Sequence, residues 1–133
     1  MRFLSIYKAR ETNTPPSPAH MARMQKLIDD SMKAGTLIAT EGCLPSALGA
    51  RVRRANDEVV VIDGPFTESK ELIAGFALLQ AESKEAAIEM TKQFLDVVGE
   101  GECELRQVFD PAEGAAGCRE VDLHAQLAGQ FAK

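Results

Sequence analysis

Four ionisable side chains, Asp63, Glu68, Lys70 and Glu71, crowd into the stretch VVVIDGPFTESKELIAGF, residues 59–76, between a β-branched run and a second apolar run. Asp63 closes the first run, where Val59 and Val61 share its face, so its carboxylate leaves that run beside apolar neighbours. Burial there would raise its pKa and prepare a general base, whereas a nearby guanidinium would lower it. On the other reading, the carboxylate simply accepts the hydrogen bonds of the Gly64-Pro65 turn. Glu68 and Lys70 follow on a segment too polar to be core. They either grip a polar ligand, with Lys70 as the point charge for an anion, or stay solvated as most loop charges do. Phe66 is expected to plug the hydrophobic core beneath the turn.

Arg51 and Arg53 alternate along one strand and share a face. Their forked guanidinium groups suit a carboxylate, phosphate or phenolate, or else offset Glu41, Asp57, Glu58 or Asp63 across a sheet. Glu41, on the face of Leu37 and Ala39, is either the partner in such a pair or a second carboxylate of a site. His20 follows Ser17 and Pro18, in what reads as a first helical turn, where the positive end of the dipole keeps an imidazole neutral. An exposed, idle histidine is the alternative. Tyr7, the only tyrosine, alternates with Phe3 and either reaches a cleft edge or packs in the core. The chemistry these residues can support is proton transfer by Asp63 with His20 or Glu41. Arg51, Arg53, Glu68, Lys70 and Tyr7 would orient a small acidic or phenolic ligand. There is no nucleophile elbow, phosphate-binding glycine loop, HExxH or clustered His/Cys set, so neither a metal nor a cofactor is expected.

The elements that must carry these groups are legible from periodicity. Residues 2–9 read as a strand, and the proline-rich segment 12–18 as a loop. Ser17 caps a helix with Met21, Met24, Ile28 and Met32 at helical spacing, which Gly35 ends; TLIATEG is then a strand. The pattern returns in IAGFALLQA, a helix from about Lys84 to Val98 capped by Ser83, and CELRQVF. Two β-α-β units, near 2–41 and 73–109, predict a ferredoxin-like α+β sandwich with both helices on one face of an antiparallel sheet. RVRRANDEVVVID reads as a hairpin turning at Asn56-Asp57, inserted between the units. IAGFALLQA is apolar on both parities, Ile73, Ala77 and Leu79 against Ala74, Phe76 and Leu78, and the first strand likewise offers Phe3 and Tyr7 against Leu4 and Ile6. A half-solvated strand would alternate with polar residues, so a homodimer with two sheets face to face is expected. Residues 1–110 form the domain on this reading, and residues 111–133 form a tail whose Val121, His124, Leu127 and Phe131 predict a short docked helix.

At 133 residues, 45% hydrophobic and 26% charged, the composition is that of one ordinary globular domain that needs no disulfide staple. The longest apolar runs fall far short of a membrane span. Cys43, Cys103 and Cys118 are odd in number and lack CxxC spacing, which fits reduced thiols in a cytoplasm. A formal net charge of −5 and a single short basic cluster argue against direct nucleic-acid binding.

Asp63-Gly64-Pro65-Phe66, with Glu68, Lys70, Glu71 and Gly75-Phe76 behind it, resembles the signature of the DGPF branch of the YCII-related family. ATEGCLPSALGARVR, residues 39–53, and the strand LRQVF are similar to further segments of that family, in the same order. The likeness covers about residues 1–110. It implies a ferredoxin-like fold paired as a dimeric α+β barrel, with no general activity established. YCII proteins carry a His-Asp pair in a cleft, one relative acts on chlorinated hydroxyquinones, and neighbouring sigma-factor genes imply a regulatory protein partner as the alternative. Here Ala74 stands where a glycine is usual and Cys43 where a leucine is, and His20 lies about one helical turn before the expected histidine.

Overall fold

The computed structural model describes residues 1–12 and 14–113, and the helix expected beyond them lies outside the described residues. Strand β1 spans Arg2–Ala9 and helix α1 spans Pro18–Lys33. Ser17 starts the helix by accepting the His20 N–H at 3.1 Å, and Gly35 at φ +75° takes the chain out of it. Strand β2 is Leu37–Gly42, and a 3-10 turn at Ser46–Leu48 leads into β3, Ala50–Ala55, and β4, Glu58–Asp63. Strand β5 is Leu72–Gln80, helix α2 is Lys84–Val98 and β6 is Glu102–Gln107. Ser83 caps α2 through the Ala86 N–H at 3.1 Å. No described helix is long and apolar enough to cross a membrane.

Strands pair in the order β2-β5-β1-β6, every pair antiparallel. That order interleaves the two β-α-β units, and the α+β architecture is compatible with the expected ferredoxin-like arrangement. The hairpin is a separate two-stranded sheet rather than part of the four-stranded one. Asn56 and Asp57 turn it with φ of +52° and +62°, the positive pair that a tight two-residue hairpin loop demands. Its strands face solvent almost throughout: Val52 is 68% exposed and Val61 59%.

The faces of the main sheet differ by residue size. Toward the helices, cross-strand rows run from Leu37, Leu79 and Phe3 through Thr40, Ala77 and Ser5 to Gly42, Gly75 and Tyr7. The first row closes the core, with Phe3 2% exposed against Leu79 and the fully buried Ala87. Apart from Tyr7, which meets Phe94 of α2, the later rows consist of small side chains. On the opposite face Leu4, Ile6, Phe76 and Leu78 stand together. A bulge between Tyr7 and Lys8 brings Ile73 opposite Lys8, so Ile73 joins Phe76 and Leu78 instead of Ala77 and Leu79 as strict alternation predicts. Ile73 is 56% exposed and Phe76 38%.

Candidate functional site

Where the inner rows shrink, a cavity of about 420 Å³ opens between the sheet and the helices. Met24, Leu27 and Ile28 of α1 and Met90 and Phe94 of α2 form its apolar roof, while Tyr7, Thr40 and Glu41 belong to its strand wall. Its volume is in the range of small-molecule pockets, and apolar walls with a few polar groups are their usual make-up.

Tyr7 is fixed on three sides. Its hydroxyl donates to the Glu100 carbonyl at 2.6 Å, its ring meets Phe94 edge to face at 5.3 Å, and Gly101 lies so close that a Cβ there would sit 2.4 Å from the ring. Burial, then Cys103 and Glu71, push its pKa above the usual value of 10.0. The folded chain therefore keeps a proton that the unfolded chain releases first, and stability falls as pH rises past about 10. Tyr7→Phe is expected to lose about 1 kcal/mol at neutral pH, the worth of one hydrogen bond, and to flatten that alkaline decline. Urea unfolding at pH 7 and across pH 9–11 checks both, and an alkaline slope equal to wild type would count against the assignment.

The Asp-Gly-Pro-Phe turn lies elsewhere, at the base of the hairpin, and Ser46 organises it. The Ser46 hydroxyl donates to Glu11 at 2.9 Å and accepts the Phe66 N–H at 3.2 Å, while the Gly64 N–H reaches the Gly49 carbonyl at 3.0 Å. Phe66 is not a core plug. It is half-buried beneath Arg51, whose guanidinium stacks 3.9 Å from the ring centre. The same guanidinium bonds Glu68 and, at 3.3 Å, the Ser69 hydroxyl. Hydrogen bonding by its own backbone amide, and then by Arg51, holds the Glu68 carboxyl below the ordinary range. The ion partner of Arg51 is thus Glu68, within the turn, rather than Glu41, Asp57, Glu58 or Asp63.

The candidates identified in the sequence fall into separate places. Tyr7 lines the cavity. Glu41 belongs to the strand that walls it, but a bulge between Leu37 and Ala39 sets Glu41 opposite Phe76 on the open face rather than on the face of Leu37. Arg51 and Glu68 lock the turn; Lys70 lines a smaller recess with Arg10 and Glu11. Asp63 pairs with Ala50 at the end of β4 and is exposed, and it lies on the hairpin face opposite Arg51 and Arg53. His20 sits in the first turn of α1 and lines neither cavity nor recess. Among the described residues, no three His, Cys, Asp or Glu side chains gather as a metal site would require.

Sequence reasoning missed the cavity and the knot at Ser46. A signal for the first was present. Ser5 falls between Phe3 and Tyr7, and Thr91 sits beside Met90 on α2, each a small hydroxyl in a row facing the core where a larger apolar side chain would fill the layer. Nothing local marked the second, because Glu11 and Ser46 meet only through the fold.

The sequence model of the YCII-related domain matches residues 1–111. An uncharacterized protein of Rhizobium meliloti (strain 1021) is 33% identical over 61 residues, 46% of this chain. The aligned segment spans about half of that relative, 49% of its length. With the family match running through both β-α-β units, the chain belongs to the YCII-related family.

Proposed function

We propose that the protein binds a small, largely apolar molecule in the cavity between α1, α2 and the sheet. The observation that carries this reading is the cavity itself: about 420 Å³ of space, walled by methionine, leucine and phenylalanine, in a domain whose inner strand rows narrow to make it. A ligand that selects the folded state at about 100 times its dissociation constant adds roughly 2.7 kcal/mol of stability. Thermal unfolding against neutral bicyclic aromatics and medium-chain alcohols is expected to show a raised midpoint in wild type. Met24→Trp fills the cavity from α1 and is expected to abolish the shift while keeping the helical signal. No response from any compound would overturn the reading and would leave the exposed hairpin, a surface suited to a protein partner, as the better lead.

We further propose that a second copy of the chain covers the open sheet face. Leu4, Ile6, Ile73, Phe76 and Leu78 form one apolar surface there, and β6 borders it with Glu102, Glu104 and Arg106. Among the described residues, Arg53 and Arg54 on the hairpin and Glu41 and Glu102 on the main sheet have no ion pair. Opposite charges on two surfaces of one chain favour contact between copies.

A further inference from the structure

We infer that the cavity selects an uncharged ligand that donates a hydrogen bond, and that it rejects carboxylates and phosphates. This rests on reading the cavity as a binding site, and it follows from where the hydroxyl hydrogens in the wall already point. Tyr7 donates to the Glu100 carbonyl at 2.6 Å, Thr36 to Ser31 at 3.2 Å, Thr40 to Phe76 at 2.9 Å and Thr91 to Ala87 at 2.8 Å. All four residues line the cavity. A hydroxyl has one hydrogen to give and two lone pairs to receive with, so a group whose hydrogen is bound to a backbone carbonyl remains an acceptor only. Shared among four of the six hydroxyl side chains that line the cavity among the described residues, that commitment biases the wall toward acceptors, with Ser5, Ser31 and the Gln93 amide completing its polar part. Drawing a hydrogen back to serve a ligand carbonyl would give up a hydrogen bond the wall already makes.

Charge points the same way. Among the described residues, no lysine, arginine or histidine lines the cavity, and the acidic residue of its wall, Glu41, stands opposite Phe76 on the sheet's open face. The cations expected from the sequence to receive an anion are elsewhere: Arg51 is held by Glu68 and Ser69, and Lys70 faces the smaller recess. A carboxylate entering between the helices and the sheet would lose water and meet no counter-charge, which costs far more than apolar contact returns. A neutral O–H or N–H donor meets acceptors and keeps that contact. The volume admits a fused two-ring skeleton.

The test is calorimetric titration of the full chain near pH 7 with three probes that share one skeleton: 2-naphthol, 2-methoxynaphthalene and naphthalene-2-carboxylate. The first is a neutral donor, the second lacks the donor and the third is an anion. The expected order is naphthol tightest, the methoxy compound about tenfold weaker, as one lost hydrogen bond predicts, and the carboxylate weaker than naphthol by roughly a hundredfold or more. Equal or tighter binding of the methoxy compound or the carboxylate would overturn the inference while leaving the cavity a binding site. If none of the three binds, the cavity reading fails with it. The same titrations on Met24→Trp, or on Leu27→Trp should the first variant not fold, locate what was measured. Loss of binding assigns it to the cavity, and binding that survives both plugs overturns the assignment.

Discussion

Gly64→Ala is expected to weaken the base of the hairpin by about 3 kcal/mol, read as amide exchange about a hundredfold faster at Gly64 and Phe66. A Cβ at residue 64 would lie 1.7 Å from the Ser46 carbonyl oxygen and 2.5 Å from its carbonyl carbon. Both are backbone atoms, so no side-chain rotation relieves the clash and the Ser46 turn itself must move. That turn is shared. Its carbonyl accepts the Gly49 N–H at 2.9 Å, its hydroxyl bridges Glu11 and the Phe66 N–H, and the Gly64 N–H bonds Gly49. Displacing it forfeits two or three hydrogen bonds of about 1 kcal/mol each, besides the overpacking itself. Gly49→Ala is the control: its Cβ would meet only the Ser46 oxygen at 3.6 Å, an ordinary contact, and the variant is expected to cost under about 1 kcal/mol. Exchange at Gly64 and Phe66 that is unchanged in Gly64→Ala would show that the turn is not held as described.

That prediction also marks what could be read from the sequence. Helices α1 and α2 were legible almost to the residue, because Ser17, Pro18, Gly35 and Ser83 are local signals for ends that backbone hydrogen bonding dictates. The hairpin was legible from Asn56-Asp57 for the same reason. The four-stranded sheet followed from two repeats of one pattern. What was not legible is what depends on distant partners. The bulge at Tyr7/Lys8 moves Ile73 to the open face, and no residue type there announces it. The charges around the Asp-Gly-Pro-Phe turn read as a ligand grip, yet Arg51 is stacked on Phe66 and paired with Glu68. Residue types that suit a site also suit a lock, and only placement separates the two. The cavity was hidden for a related reason: periodicity reports which face is apolar and says little about whether that face is filled.

Phe76→Asp is expected to break the face-to-face pair proposed above, raising its dissociation constant at least about a thousandfold, while leaving each protomer folded. Phe76 lies opposite Ile6 on one side and Glu41 on the other, in the middle of the open face and on the reverse of the row that holds Leu79 in the core. An aspartate there touches no core residue, so helical signal and cooperative unfolding should persist. In a face-to-face pair the same carboxylate is desolvated, and twofold symmetry places it there twice. Losing water without a counter-charge costs several kcal/mol, and breaking the pair is the cheaper outcome. Sedimentation velocity at micromolar concentration reads the result: wild type as a dimer, the variant as a monomer. Wild type sedimenting as a monomer at every concentration would sink the interface. The variant carries a second use, because Phe76 supplies the carbonyl that binds Thr40 while its ring points away from the cavity. Since that carbonyl is backbone, Phe76→Asp removes the interface and spares the wall. If monomeric Phe76→Asp still binds 2-naphthol as wild type does, one protomer builds the whole site; if binding is lost with the dimer while the fold remains, the second copy completes it.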